Sequence, residues 1–329
     1  MAVYTHLTDR QLERYARWFG LESLHEARGV PGGTINTIYS LKTADGRFIL
    51  RLLENRSRTD ARFEEALLRH LHGEGISVPR MLESPSHGGV ISLGTRQHLS
   101  VFEWMPGREL APFELQPEHA GQIGTYLARL HAATASLRRQ RRNRFLPEHI
   151  DRKLGTCERY VAGDVPQEMR RHVGMLRREL DRFRWPTRVP LGIIHADLFV
   201  DNAFFKRGRL TGVLDFEMAC SGPLIYDVAV ALLDWAFERD RFVRPRARAL
   251  LAGYQKERPL NVSERAALFP MCRFIATRYA TTRFYDFEVT AIPEEDRTYK
   301  DYRHYVARLA ALRTLGAAGL RELVNSTRS

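Results

Sequence analysis

The sequence predicts an α+β protein in two lobes, a small β-rich N-lobe over residues 1–105 and a larger α-helical C-lobe over residues 106–329. Three observations point there. Short β-rich runs separated by turn residues crowd the region before Trp104. After Trp104-Met105-Pro106-Gly107, apolar residues recur at helical spacing instead. Inside that helical region, two apolar strands bracket a short polar loop. With 329 residues, 44% of them hydrophobic, the chain is long enough for two cores.

The elements follow in order. Thr8 to Phe19 reads as a short helix. Ile35–Leu41 and Arg47–Leu53 are β-rich runs joined by the hairpin signal Thr43-Ala44-Asp45-Gly46. Asp60–His72 has helical spacing through Phe63, Leu67, Leu68 and Leu71, and stops at Gly73. Val90–Leu93 and Gln97–Glu103 form another strand pair, which gives a mostly antiparallel sheet with one helix. In the second lobe Ile123, Tyr126, Leu127 and Leu130 make one apolar face. Met169, Val173, Leu176, Leu180 and Phe183 make another, with arginines on its solvated side. Leu224–Phe237 is almost wholly apolar apart from Asp227 and Asp234. Further helices fit Arg244–Gln255, Ser263–Tyr285 and Tyr302–Val324.

Composition excludes several classes. No stretch approaches the roughly 20 apolar residues of a spanning helix, and the opening MAVYTHLTDR lacks a basic region followed by an apolar run. A cytoplasmic protein without membrane contact is expected. Cys157, Cys220 and Cys272 are sparse and far apart, which suits packing in a reducing compartment. The net charge of +12 comes mostly from dispersed arginine. Only LRRQRRNR (Leu137 to Arg144) is dense, and it reads as an exposed linker. Aromatic-basic interleaving of the RNA-binding type is not evident, so no nucleic-acid partner is expected. Oligomeric state is not legible.

The stretch from Gly192 to Glu217, GIIHADLFVDNAFFKRGRLTGVLDFE, carries the chemistry. Ile193 and Ile194 end a strand. His195, Asp197 and Asn202 fall in the pattern H-x-D-x-x-x-x-N. A second strand, Leu210–Leu214, closes on Asp215-Phe216-Glu217. Phosphoryl transfer needs such a set: one carboxylate to accept the proton of the attacking hydroxyl, and an Asn and a second Asp to hold Mg²⁺ against nucleotide phosphates. A lone Asp after a strand is ordinarily a turn former or cap. Here the strand, the Asn offset and the second strand coincide. Asp197 is the expected base, Asn202 and Asp215 the expected hard oxygen ligands of Mg²⁺, and His195 an orienting residue. A turn at Lys206, Arg207 and Gly208 joins the strands. Glu217 is either a supporting partner of the metal site or an edge residue, and Asp201 has a surface role.

These residues resemble the aminoglycoside phosphotransferase and choline kinase group, which shares the protein-kinase-like fold. Within it the likeness is closest to the type II homoserine kinases. It covers most of the chain, through MAVYT, GRFIL, GISVP, LARLHAAT, HADLFVDN, ACSGPLIYDVAVALLDW, RALLAGY and MCRFIATRYATTRF. The resemblance implies transfer of a phosphoryl group from ATP, with Mg²⁺, to the hydroxyl of homoserine, a step towards threonine. Two departures bear on the acceptor. GVPGGTINTIY lacks an acid near Gly33, and Asp215-Phe216-Glu217-Met218 replaces an aromatic and Asn after Asp-Phe. Other acceptors in the same chemistry are an aminoglycoside, choline or another small alcohol. A non-catalytic kinase-fold binding protein is the alternative outside it.

Further roles follow from the kinase likeness. Gly29, Gly32 and Gly33 suit a loop whose backbone N–H groups approach nucleotide phosphates. Protein kinases place a Lys on the strand after that loop. This chain offers Arg51, to pair with phosphates and with Glu64 or Glu65. Phe102, Glu103, Trp104 and Met105 form the expected hinge for adenine. Asp227 braces the catalytic loop. Asp234 lies on an apolar helix and needs a partner, either a protein Arg or a substrate ammonium. Arg273, Arg278 and Arg283 are candidates for a substrate carboxylate, or plain surface residues.

Overall fold

A computed structural model describes residues 5–30, 36–137, 140–290 and 299–327. The chain forms two compact units, and each is described by itself. The first takes in the chain up to Gly107 together with Thr211–Glu217; the second takes in Arg108–Leu210 and most of the chain from Met218 onward.

In the first unit, helix α1 (Asp9–Trp18) starts at Thr8, whose hydroxyl accepts from the Gln11 amide. Such a cap satisfies one of the orphan amides of the first turn. Five strands follow in the order β1-β2-β3-β5-β4, all antiparallel: β1 (Glu26–Gly29), β2 (Thr37–Thr43), β3 (Gly46–Leu53), β4 (Ile91–Ser92) and β5 (His98–Glu103). Strand β1 is absent from the sequence reading, because EARG is short, polar and only partly buried. Helix α2 (Arg58–Gly73) is capped by Ser57. Leu12, Tyr15 and Ala16 of α1, with Phe19 just after it, pack with Tyr39, Leu41, Phe48, Leu50, Leu99 and Val101 of the sheet. That alternation of buried positions sets the register, since a one-residue slip would turn these side chains to the opposite face of the sheet.

The second unit is helical: α3 (Pro117–Ala133), α4 (Pro147–Val161), α5 (Gln167–Arg182), and later α6 (Leu224–Trp235), α7 (Arg244–Glu257), α8 (Val262–Phe284) and α9 (Arg303–Asn325). Between α5 and α6, β6 (Leu191–Ile194) pairs antiparallel with β9 (Cys220–Pro223). The hairpin of β7 (Ala203–Lys206) and β8 (Arg209–Val213) turns at Arg207 and Gly208, with φ of 53° and 73°. Two successive positive φ values make the tight turn that matches strand twist. Helix α6 buries eleven residues, Asp227 among them. The three cysteines are free and buried, and burial pushes each thiol up to about 12. Among the described residues no helix is long and apolar enough to cross a membrane. The Arg-rich linker is not wholly loose, since the Arg141 carbonyl accepts from the Ser221 amide at 2.8 Å. Arg138 and Arg139 within it lie outside the described residues.

Helices α3 and α7 approach closely through glycine. A Cβ on Gly253 would meet the Gly121 carbonyl oxygen at 2.1 Å, and one on Gly124 would meet that of Leu250 at 2.0 Å. Backbone cannot yield as a side-chain tip can. Gly253→Ala is therefore predicted to destabilise at the upper end of the roughly 1–3 kcal/mol usual for overpacking, despite the gain of about 1 kcal/mol in helix propensity. Gly155 on α4 faces only Arg159 Nη1, at 3.9 Å. Gly155→Ala should raise stability by up to about 1 kcal/mol. Thermal denaturation of both variants checks the pair. Equal effects would contradict the packing.

Candidate active site

The loop after β6 is held by its backbone. His195 and Ala196 are fully buried. Their amides donate to the two oxygens of Asp227, each at 2.7 Å. Ala196 has φ 68°, a left-handed conformation that costs a residue with a Cβ on the order of 1–2 kcal/mol. The two charge-assisted bonds offset that cost. Asp227 Oδ2 also lies 3.1 Å from His131 Nε2, and His131 Nδ1 lies 2.9 Å from the Tyr254 hydroxyl. Arg258 donates to that hydroxyl at 3.0 Å. An arginine only donates, so the phenol hydrogen turns to Nδ1 and the proton of His131 sits on Nε2, aimed at Asp227.

Helix α6 grips the same loop twice more. The Val200 amide donates to Asp234 Oδ2 at 2.9 Å, and the Trp235 indole donates to the Leu198 carbonyl at 3.2 Å. Asp234 also pairs with Arg308 at 3.0 Å. Of the two partners expected for Asp234, these contacts supply the protein arginine.

Asp197 projects from this fixed loop, with its side chain about a quarter exposed at 23%. Its amide donates to His195 Nδ1 at 3.3 Å. Asn202 Nδ2 donates to the Asp197 carbonyl at 2.8 Å. A carbonyl only accepts, so the amide nitrogen faces Asp197 and the Asn202 oxygen faces away, where a hard cation could meet it. The Tyr279 hydroxyl lies 2.7 Å from Asp197 Oδ1 and 3.2 Å from the Ala196 carbonyl. Its single hydrogen goes to the shorter, charged acceptor. Burial pushes the Tyr279 phenol well above its ordinary value, so it stays a donor.

Of the three candidate arginines, two are committed within the unit. Arg273 binds Glu179 at 2.6 Å, and Arg313 binds the same buried carboxylate. Arg283 donates to the Asp301 carbonyl at 3.3 Å and lies over the Tyr305 ring at 4.6 Å. Arg278 lies next to the base, with Nη1 3.9 Å from Asp197 Oδ1.

In the first unit, Arg51 and Glu64 form a buried pair at 3.0 Å. Glu65 instead binds Arg62, Arg69 and the Gly89 amide. Burial works against the Arg51 charge, but Glu64, then Glu217 and Asp215, outweigh it and hold the guanidinium above its usual range. Arg51 Nε and Nη2 have no hydrogen-bond partner among the described residues. Asp215 sits at φ 60°. Glu217 is buried, with Asn36 at 2.6 Å and Arg56 at 3.0 Å, and so braces the unit. Phe102 is buried under Arg51, 4.8 Å from its Cζ to the ring centre. The Glu103 and Trp104 amides donate to the Arg80 and Arg47 carbonyls, so neither is available to a purine. A Cβ on Gly212 would strike Met105 at 2.6 Å. Gly29 ends β1 opposite Tyr39. Gly32 and Gly33 lie outside the described residues.

Sequence reasoning missed Tyr279 and His131. Both lie in quoted segments, but no spacing distinguishes a tyrosine beside an arginine, or a histidine on an apolar helix, from ordinary core. Tyr279→Phe is predicted to lower turnover roughly tenfold, the scale of one hydrogen bond to a charged group. Unchanged turnover would contradict the role.

A family model described as the phosphotransferase enzyme family matches residues 26–260. A homoserine kinase of Granulibacter bethesdensis is 36% identical over 313 residues, covering 94% of this chain and 96% of that protein. A homoserine kinase of Brucella abortus is 35% identical, covering 97% and 96%. Among solved structures, an amicoumacin kinase in complex with AMP-PNP, Ca²⁺ and Ami has a TM-score of 0.68 at 19% identity, over 96% of this chain and 94% of that one. An aminoglycoside phosphotransferase of Alicyclobacillus acidocaldarius has 0.66 at 19% identity, over 93% and 94%. The structural likenesses support the α+β protein-kinase-like fold expected from the sequence. The motif, the fold and the end-to-end relatives lead to one conclusion: the chain belongs to the phosphotransferase enzyme family.

Proposed function

We propose that the protein is an ATP- and Mg²⁺-dependent kinase whose acceptor is the hydroxyl of L-homoserine. The observation that carries the chemistry is Asp197, part-exposed on a rigid loop with one oxygen fixed by Tyr279. The support for the acceptor is the likeness, along nearly the whole chain, to homoserine kinases.

In this reading the acceptor hydroxyl gives its proton to Asp197 as its oxygen takes the γ-phosphoryl group, and ADP leaves. In a loose transition state little proton removal is needed early, so holding the hydroxyl in line matters more than basicity. Asn202 and Asp215 are the proposed metal ligands, and the fit rests on donor chemistry: two hard oxygens suit Mg²⁺. Bound Mg²⁺ would neutralise charge on the nucleotide phosphates. Arg51, charged at any working pH, directs its two unpaired donors to phosphate oxygens and is aligned by Glu64. The adenine would pack at the hinge Phe102 to Met105 on groups other than the Glu103 and Trp104 amides, which are already bonded. A zwitterionic acceptor also needs an acid for its ammonium. Asp234 is already paired with Arg308. Asp201, an exposed acid on the same loop that feels the Asp197 and Asp234 charges, is the candidate that remains.

An ATP-consumption screen over homoserine, choline, aminoglycosides and sugars tests the acceptor, with homoserine expected to dominate. Asp197→Asn should lower kcat roughly 100-fold or more, the scale of general-base and positioning effects, while calorimetry finds Mg-ATP affinity nearly unchanged. Near-normal turnover of that variant, or preference for an uncharged sugar, would overturn the reading.

A further inference from the structure

Arg278 is buried, with 3% of its surface exposed. Its Nε and Nη1 atoms have no hydrogen-bond partner among the described residues. Two aromatic rings pack against the guanidinium, Phe145 at 3.5 Å and Tyr279 at 3.8 Å from Cζ to ring centre. Stacked rings compensate charge over the guanidinium face, but its N–H bonds lie in the plane and gain no acceptor from them. The Asp197 oxygen at 3.9 Å from Nη1 is too distant for a hydrogen bond and already accepts from Tyr279. Two buried phenols nearby, Tyr226 and Tyr305, likewise have no hydrogen-bond partner among the described residues. Tyr226 is close enough to feel the Arg278 charge, and Tyr305 stacks on Tyr279 at 4.9 Å.

Buried donors in a native protein are nearly always satisfied. A cation fixed by aromatic rings, beside the base and with unused in-plane donors, is built to meet a planar anion. We infer that Arg278 receives the carboxylate of the acceptor, and that the site selects small alcohols carrying a carboxylate a few bonds from the reacting hydroxyl. The inference rests on the reading that Asp197 receives that hydroxyl. With Arg278 and Asp197 so close, one molecule about four carbons long can reach both. The same buried cation disfavours acceptors whose only charges are positive, such as choline and aminoglycosides. Arg273 and Arg283 lack the combination of burial, proximity to Asp197 and unused donors.

The test compares kcat/KM for L-homoserine and its carboxamide, with Mg-ATP, in wild type, Arg278→Gln and Arg278→Lys. Wild type should prefer the carboxylate roughly 100-fold, the scale of hydrogen bonds to a charged group. Arg278→Gln should abolish that preference while KM for ATP stays within about twofold, since the loss lies in acceptor binding. Should Arg278→Gln fail to fold by thermal denaturation, Arg278→Lys answers the same question: it keeps the charge but loses the fork, and the preference should shrink roughly tenfold. Wild type accepting the amide as well as the acid, or a preference unchanged in the folded variants, would overturn the inference. If wild type ignores homoserine but phosphorylates 4-hydroxybutyrate in an Arg278-dependent way, the homoserine reading fails and this inference stands. If only cationic alcohols react, both fail.

Discussion

The bond between the Asp227 carboxylate and two consecutive backbone amides is the constraint on which the catalytic unit depends. His195 and Ala196 cannot form regular strand or helix where Ala196 takes φ 68°. Both amides are buried, and without an acceptor each would carry a desolvation cost of about 1–3 kcal/mol. One carboxylate answers both, at 2.7 Å each. It is itself buried, and so needs these donors and the His131 imidazole as much as they need it. The result is a loop with little freedom, from which Asp197 projects in one orientation. Catalysis by positioning requires that rigidity.

Helix α6 explains why so apolar a segment carries two aspartates. Asp227 and Asp234 lie two turns apart and meet the loop near its start and near Val200, while Trp235 holds Leu198 between those points. The helix acts as a splint for the loop, and its other side chains supply the core that keeps the splint still. The abundance of arginine has a related explanation. Many arginines serve internal networks: Arg273 and Arg313 on Glu179, Arg308 on Asp234, Arg258 on Tyr254 and Glu264, Arg51 on Glu64. These pairs are charge-balanced, so they account for buried arginines and not for the net charge of +12.

Much of this was legible in the sequence because the signals were local. Hairpin turns, a helix stop and the H-x-D-x-x-x-x-N offset are written in adjacent residues. What escaped was set by tertiary contact. Strand β1 is a polar four-residue edge whose pairing partner alone defines it. Tyr279 meets Asp197 across a sequence separation of 82 residues, and His131 meets Asp227 across 96. The choice among Arg273, Arg278 and Arg283 was open for the same reason. All three sit on one helix at similar spacing, and only their neighbours show that Arg273 is committed to Glu179 while Arg278 keeps unused donors.

The central claim is that Asp197 receives the acceptor hydroxyl while Arg278 receives the carboxylate of the same molecule. A crystal structure with Mg²⁺, a non-hydrolysable ATP analogue and L-homoserine measures this directly. The account predicts the homoserine hydroxyl within about 2.6–3.2 Å of an Asp197 oxygen, its carboxylate on the Arg278 guanidinium, and Tyr279 still bound to Oδ1. A bound homoserine whose hydroxyl lies beyond reach of Asp197, or whose carboxylate pairs with another cation while Arg278 stays unengaged, would contradict it.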